Sequence, residues 1–281
     1  ITINVKNSSD VGTVLVDGIE TVNLVSTDSP SDDTNELRID SAGTGTATEV
    51  LNISGAGDTT VVATDSLTIA NSASGDVTLT PTAATAVTHT GSGKLTVSGG
   101  VADISVTASS TGALVYTDGN AGDTTVTGSS GDDRFDFAAL LTTGDTIVGG
   151  TGTDTLVIDG DSVASSADGD ITVSGVETLE IDTDSADTLD FDVFANPSQI
   201  TSVVIDSIAD ADTVTLTDTQ ASTFTINNGN ATTNEDIAAV TVDLKTATGS
   251  SDAITINLNQ KQDGTTNSDT FQVTTGITAN S

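Results

Sequence analysis

Short β-branched runs recur at near-even spacing through the first two thirds of this chain, and no other feature narrows its folds as much. Val50-Leu51-Asn52-Ile53, Thr59-Thr60-Val61-Val62, Leu67-Thr68-Ile69, Val77-Thr78-Leu79, Leu95-Thr96-Val97, Ile104-Ser105-Val106 and Leu114-Val115-Tyr116 have apolar centres about 8 to 12 residues apart. Between them stand Gly55-Ala56-Gly57-Asp58, Ser74-Gly75-Asp76, Gly91-Ser92-Gly93, Gly99-Gly100 and Asp118-Gly119-Asn120. These are turn signals, because Gly and Asn/Asp tolerate positive φ. The rhythm suits a sandwich or a solenoid. A sandwich core draws on large aromatic side chains, and only 2% of this chain is aromatic. Runs this short, carrying Val, Leu, Ile, Thr and Ala, fill a narrow coil instead. The expected fold is all-β: a parallel β-solenoid or β-roll, followed by a further β unit.

Charge narrows the partners. Six Lys+Arg stand against 41 Asp+Glu, a formal charge of −35. Such a chain cannot neutralise a phosphate backbone, and it lacks the aromatic platforms that stack single strands, so nucleic acid is excluded as a partner. The acids are 35 Asp and 6 Glu, short side chains suited to turns and oxygen cages. High net charge also accompanies disorder, but disordered segments are poor in the β-branched residues abundant here. Cys, Met and Trp are absent, which removes disulfides, zinc–thiolate sites and Cys nucleophiles. No apolar run approaches the roughly 18 residues needed to span a bilayer, so no transmembrane segment is expected. Ile1 in place of an initiator Met points to a processed chain or a piece of a longer one.

Three regions are expected: a β segment over 1–49, a solenoid over 50–160 and a second β unit over 161–281. Val16-Asp17-Gly18-Ile19-Glu20-Thr21-Val22-Asn23-Leu24 parallels Val173-Ser174-Gly175-Val176-Glu177-Thr178-Leu179-Glu180-Ile181, one supersecondary unit used twice. The alternation breaks at Ala138-Ala139-Leu140-Leu141, which makes Phe135 to Leu141 a candidate helical piece, and a turn is expected from Phe191 to Ser198.

The sharpest local signal is Gly149-Gly150-Thr151-Gly152-Thr153-Asp154-Thr155-Leu156-Val157, which fills every fixed position of the Ca²⁺-binding pattern G-G-x-G-x-D-x-U-x. Gly128-Ser129-Ser130-Gly131-Asp132-Asp133-Arg134-Phe135-Asp136 matches with Ser129 for the second Gly, and Gly119 to Thr127 matches with Asn120 for the second Gly and Thr124 where Asp is expected. Gly119 to Gly128 is one nonapeptide period, whereas Gly128 to Gly149 spans 21 residues, an interval expected to interrupt the array. Glycines let each turn close and aim carbonyl oxygens inward, and the Asp adds a carboxylate to the six to eight oxygens that calcium takes at roughly 2.3–2.6 Å. The cofactor expected is therefore Ca²⁺. Crowded aspartates oppose folding without it: two carboxylates about 4 Å apart repel by roughly 4 kcal/mol at an effective dielectric near 20.

Other acids are less specific. Asp206 to Asp212 and Asp182 to Asp187 offer closely spaced carboxylates in expected loops, and Asp159 and Asp161 lie just beyond the nonapeptides. Catalytic groups are scarce. His89 is the only histidine, Tyr116 the only tyrosine, and Arg38 and Arg134 the only arginines. A polysaccharide-active β-helix normally adds such a residue to its carboxylates. His89, sharing a strand face with Val87, reads as a strand-end histidine, and Arg134 as a partner of Asp132 or Asp136. No enzyme is expected.

Gly119 to Val157 resembles an RTX calcium block, and the flanking low-aromatic Thr/Ser/Ala/Val coils resemble RTX-bearing surface-layer (S-layer) proteins of Gram-negative bacteria. The resemblance implies a secreted structural subunit, exported unfolded by a type I machine, that folds in external calcium and assembles into an extracellular surface layer. It implies metal ligation by Asp132 and Asp154 at the motif Asp position, with Asp133 beside them, and by carbonyls of Gly128, Gly131, Gly149, Gly150 and Gly152. The partners implied are further copies of the chain, in a lattice or filament, and a cell-surface polysaccharide held through another region. A filament subunit or an adhesin is the alternative.

Overall fold

The computed structural model describes residues 1–5, 13–15, 20–27, 35–40, 49–63, 67–81, 83, 85–99, 103–120, 122–160, 162–163, 166–183, 186–207, 212–228, 237–245 and 254–260. Two compact units divide the chain, one of Ile1–Asp136 with Gly144–Asp154, the other of Phe137–Thr143 with Thr155–Ser281.

The first unit is a parallel β-solenoid. One ladder stacks Thr2–Val5, Thr21–Ser26, Glu49–Gly55, Leu67–Asn71, Thr85–His89, Ile104–Ala108, Thr125–Thr127 and Thr146–Val148 in that order. The other stacks Thr13–Leu15, Asn35–Asp40, Thr59–Ala63, Val77–Pro81, Leu95–Ser98, Leu114–Thr117 and the start of Arg134–Ala138. Successive strands alternate between ladders, so each coil contributes one strand to each. Parallel pairing needs a connection between neighbours, and here the opposite strand of the same coil supplies it.

Period-two alternation decides which side chains enter the coil. In Thr85–His89 the residues alternate between buried and exposed along the whole strand. The parallel register then stacks equivalent residues into columns: Ile69, Val87, Val106, Val126 and Ile147 on one ladder, Val61, Leu79, Val97, Tyr116 and Phe135 on the other, all buried. Each Val, Leu or Ile so placed contributes about 1.5–3 kcal/mol by leaving water. The core is thus linear, and small side chains fill it.

The offset between neighbouring coils runs from 18 to 29 residues, and it is 21 between Thr125–Thr127 and Thr146–Val148. The 21-residue interval from Gly128 to Gly149 therefore does not interrupt the array. It is one full coil, whereas the nine-residue step from Gly119 to Gly128 crosses from one ladder to the other. The candidate helical piece is also corrected. Residues Arg134–Ala138 form a strand with Phe135 and Phe137 fully buried. The chain then turns, with Ala138 at φ 43 and the Leu140 N–H donating to the Phe137 carbonyl at 2.8 Å. Burying two phenyl groups on one strand face outweighs the local helix preference of the alanines and leucines.

The second unit stacks Thr155–Asp159, Thr178–Thr183, Ser202–Ser207, Thr223–Asn228 and Thr255–Gln260 in one parallel ladder. Leu156, Ile158, Leu179, Ile181, Val203, Ile205, Phe224 and Ile226 are its buried columns. A small parallel sheet holds Ala186–Asp190, Asp212–Thr219 and Ile237–Leu244. The segment from Phe191 forms two 3₁₀ turns, Phe191–Val193 and Pro197–Gln199, the first capped by the Asp190 carboxylate. No α-helix occurs among the described residues. The second half of the internal repeat is a strand in both copies, Thr21–Ser26 and Thr178–Thr183, and in the second copy the strand Thr172–Ser174 precedes it. Residues 16–19 of the first copy lie outside the described residues.

Candidate metal centre

The glycine turns of the two better nonapeptides lie one coil apart in the first unit. A Cβ on Gly128 would fall 2.0 Å from the Gly149 carbonyl oxygen, and one on Gly152 would fall 2.5 Å from that of Gly131. Gly150 and Gly152 adopt φ of +115° and +129°. Backbone this close, in conformations that L side chains rarely adopt, requires glycine.

The motif carboxylates turn into this stack. Asp154 is fully buried, and its Oδ1 accepts the Asp133 N–H at 2.8 Å. Asp133, 2% exposed, accepts from the Leu114 N–H at 2.6 Å and the Ser129 hydroxyl at 2.8 Å on Oδ1, and from the Ser129 N–H at 2.6 Å on Oδ2. Burial raises the Asp133 pKa while those donors oppose the rise. The sixth motif position is thus held by Asp133, level with Asp154. Asp132 occupies the fifth, is exposed, and accepts the Thr153 N–H at 2.8 Å. Gly131 donates its N–H to the Ser129 hydroxyl and Gly128 donates to the Val148 carbonyl. The predicted residues therefore come together in one stacked turn, with their carboxylates accepting bonds from neighbouring backbone. The same device recurs without the full motif: Asp58 accepts from Asp76 N–H, and Asp76 from Lys94 N–H, each at 2.8 Å.

Two further carboxylate clusters lie in the second unit. Asp182 and Asp206, expected in loops, stand on the strands Thr178–Thr183 and Ser202–Ser207. The reason is that Leu179, Ile181, Val203 and Ile205 alternate with them and enter the core, which leaves Glu180, Asp182 and Asp206 on the outer face. Register places Asp159, Asp182 and Asp206 side by side on three adjacent strands, continued by Asn227 and Asn259. Carboxylate oxygens of Glu180, Asp182 and Asp206 lie within 4.8 Å of one another, half-buried. The amides in the same column bond each other, Asn259 Nδ2 to Asn227 Oδ1 at 3.0 Å, whereas like-charged carboxylates repel. Asp161 lies outside the described residues.

The second cluster, Asp190, Asp192 and Asp218, has the same spacing. Lys245 donates to Asp192 there, so this cluster already holds one positive charge. Asp190 Oδ1 accepts the Asp192 N–H at 2.9 Å. Asp218, at φ 54, has its pKa raised by burial and by the charges of Asp192 and Asp190. Three carboxylates in reach of one point form an all-oxygen donor set, which suits a hard cation such as calcium. The column signal was readable in the sequence only once strand register was known.

His89 is fully buried, its Nδ1 3.0 Å from Asn71 Nδ2 and its Nε2 3.0 Å from the Gly93 carbonyl. That pairing fixes a neutral ring with the proton on Nε2, and burial lowers its pKa. No family model, characterised protein or solved structure matches this chain.

Proposed function

We propose that this is a secreted, calcium-stiffened structural protein, without catalytic activity, that assembles with copies of itself into an extracellular surface layer. The observation that carries this reading is the carboxylate column of the second unit, where Asp182 and Asp206 are level on adjacent strands with Glu180 beside them. Parallel strands at about 4.8 Å spacing hold such charges closer than water alone stabilises. A divalent cation relieves the repulsion and stiffens the ladder at once. Extracellular calcium modules work at roughly 10⁻⁴–10⁻³ M, so the submicromolar calcium inside a cell leaves them empty and external calcium fills them. A net charge of −35 keeps copies of the chain apart until cations bridge them.

Electron microscopy of the purified chain with and without millimolar calcium tests the proposal. Ordered sheets that form with calcium and dissolve in chelator are the expected result. Filaments would favour the filament subunit, and dispersed monomers in saturating calcium would overturn self-assembly. Cleavage of a polyuronate in an absorbance assay would overturn the non-catalytic part.

A further inference from the structure

The interior of the first unit contains a further polar cluster, which takes Thr124 from the Gly119 to Thr127 nonapeptide and its other members from outside the Gly128 and Gly149 turns. Asp118 follows the strand Leu114–Thr117, which carries Tyr116, and Thr124 and Asp145 immediately precede Thr125–Thr127 and Thr146–Val148. Those last two strands are neighbours in register, so Thr124 and Asp145 stand on adjacent coils, joined by the Thr124 N–H donating to Asp145 Oδ1 at 2.8 Å. Tyr116 and Thr124 are fully buried, Asp145 is 1% exposed and Asp118 9%. The Tyr116 hydroxyl donates to Asp118 Oδ1 at 2.9 Å. It also lies beside Thr124, and the Asp145 charge acts on Asp118. Tyr116 thus adjoins both Asp118 and Thr124, and Asp145 reaches the same place through the Thr124 N–H.

Two atoms there lack a hydrogen-bond partner while shut away from solvent, Asp118 Oδ2 and Thr124 Oγ1. Leaving a carboxylate oxygen in that state costs more than leaving a neutral group. A buried water would satisfy both atoms but leave two like charges facing each other. A proton on one carboxylate would also remove the repulsion, and titration with terbium separates that case from a bound ion. A divalent cation neutralises both carboxylates and takes the hydroxyl oxygen as a further ligand. The donors are all oxygen, the chemistry of a hard cation.

We infer that Asp118, Thr124 and Asp145 form an interior calcium site, with Tyr116 as the residue that positions the Asp118 carboxylate. The donors are buried side chains, and Thr124 stands where the nonapeptide pattern has its Asp. Burial pushes the Tyr116 phenol far above its ordinary pKa, so it remains a hydrogen-bond donor rather than a phenolate ligand. The Gly119 and Asn120 N–H groups favour the charged form of Asp118.

The sequence supplies its own probe. Tyr116 is the only tyrosine and tryptophan is absent, so terbium luminescence sensitised by tyrosine reports an ion close to this phenol. Titrating the full chain with terbium should give saturable sensitised emission that calcium displaces. Asp118→Asn and Thr124→Val should each weaken terbium affinity at least about tenfold, while the Glu180→Gln/Asp182→Asn/Asp206→Asn triple variant leaves the emission unchanged. Absence of sensitised emission from folded wild-type protein, or emission that persists undiminished in Asp118→Asn, overturns the inference. Should Asp118→Asn fail to fold, the wild-type tyrosine emission spectrum decides: a shift on adding calcium supports the site, and an unmoved spectrum overturns it. The site stands apart from the surface-layer reading, since emission without sheets would refute that reading alone.

Discussion

Carboxylates in the two units meet opposite surroundings. In the first unit Asp133 and Asp154 lie inside the coil, and backbone N–H groups, with the Ser129 hydroxyl, reach them from the same and neighbouring coils. In the second, Glu180, Asp182 and Asp206 lie on the outer face of a ladder whose register sets like charges level. The first arrangement joins coils through charge-assisted hydrogen bonds, each worth about 1.5–3 kcal/mol. The second holds neighbouring strands together against their own side chains. Burial alone therefore does not tell which acids call for a cation; the like charges that register sets level with each one also count. The Asp190 cluster is intermediate, because Lys245 already supplies one positive charge to it.

Four experiments break or sharpen this contrast. Removing the Asp133 carboxylate as Asp133→Ala strands three buried donors and should cost about 3–5 kcal/mol in urea unfolding. The loss should be equal in calcium and in chelator, and a loss confined to calcium would move Asp133 into the class of the second unit. Gly152→Ala, at φ +129° with the Gly131 carbonyl 2.5 Å from the new methyl, should cost about 1–3 kcal/mol or more by the same assay. The triple variant Glu180→Gln/Asp182→Asn/Asp206→Asn removes repulsion between groups within 4.8 Å. Water screens half-buried groups, so a gain of about 1–2 kcal/mol in chelator is expected, with a weaker response to calcium. Destabilisation in chelator would mean that the column is already neutralised by the protein.

The smallest effect comes from His89. Its folded pKa lies below the ordinary 6.5 because burial disfavours the charged ring. The unfolded chain therefore binds the proton first. Its stabilising contribution is complete above pH 6.5 and declines as pH falls below it, by at most about 1.4 kcal/mol per unit, until the folded pKa is reached. Asp133 is the charged group acting on the ring, and its charge opposes the depression. Thermal melts of wild type and His89→Asn between pH 5 and 7 should converge on acidification, and parallel curves would contradict this.

The solenoid was legible because each short run carries its own alternation: Val77-Thr78-Leu79 announces its inward residues without reference to any other coil. The turns were legible because Gly150 and Gly152 sit where only glycine fits. Register was not legible. Asp182 and Asp206 meet across adjacent strands because of connection lengths that leave no local mark in the sequence, so these two acids read as loop residues. The same gap made a full coil from Gly128 to Gly149 look like an interruption. Phe135 and Phe137 were misplaced for a different reason, since local alanines and leucines favour helix while the demand for phenyl groups in the core comes from elsewhere.

Coil circumference in the first unit varies from 18 to 29 residues while the strands keep one hydrogen-bonded rise per coil. Length changes are absorbed at the corners and never reach the axis. Evolution can therefore lengthen a corner, decorating the rim with new chemistry, and leave the spacing of every other rung untouched. A single residue added within a strand has no such freedom, since it would turn that rung inside out.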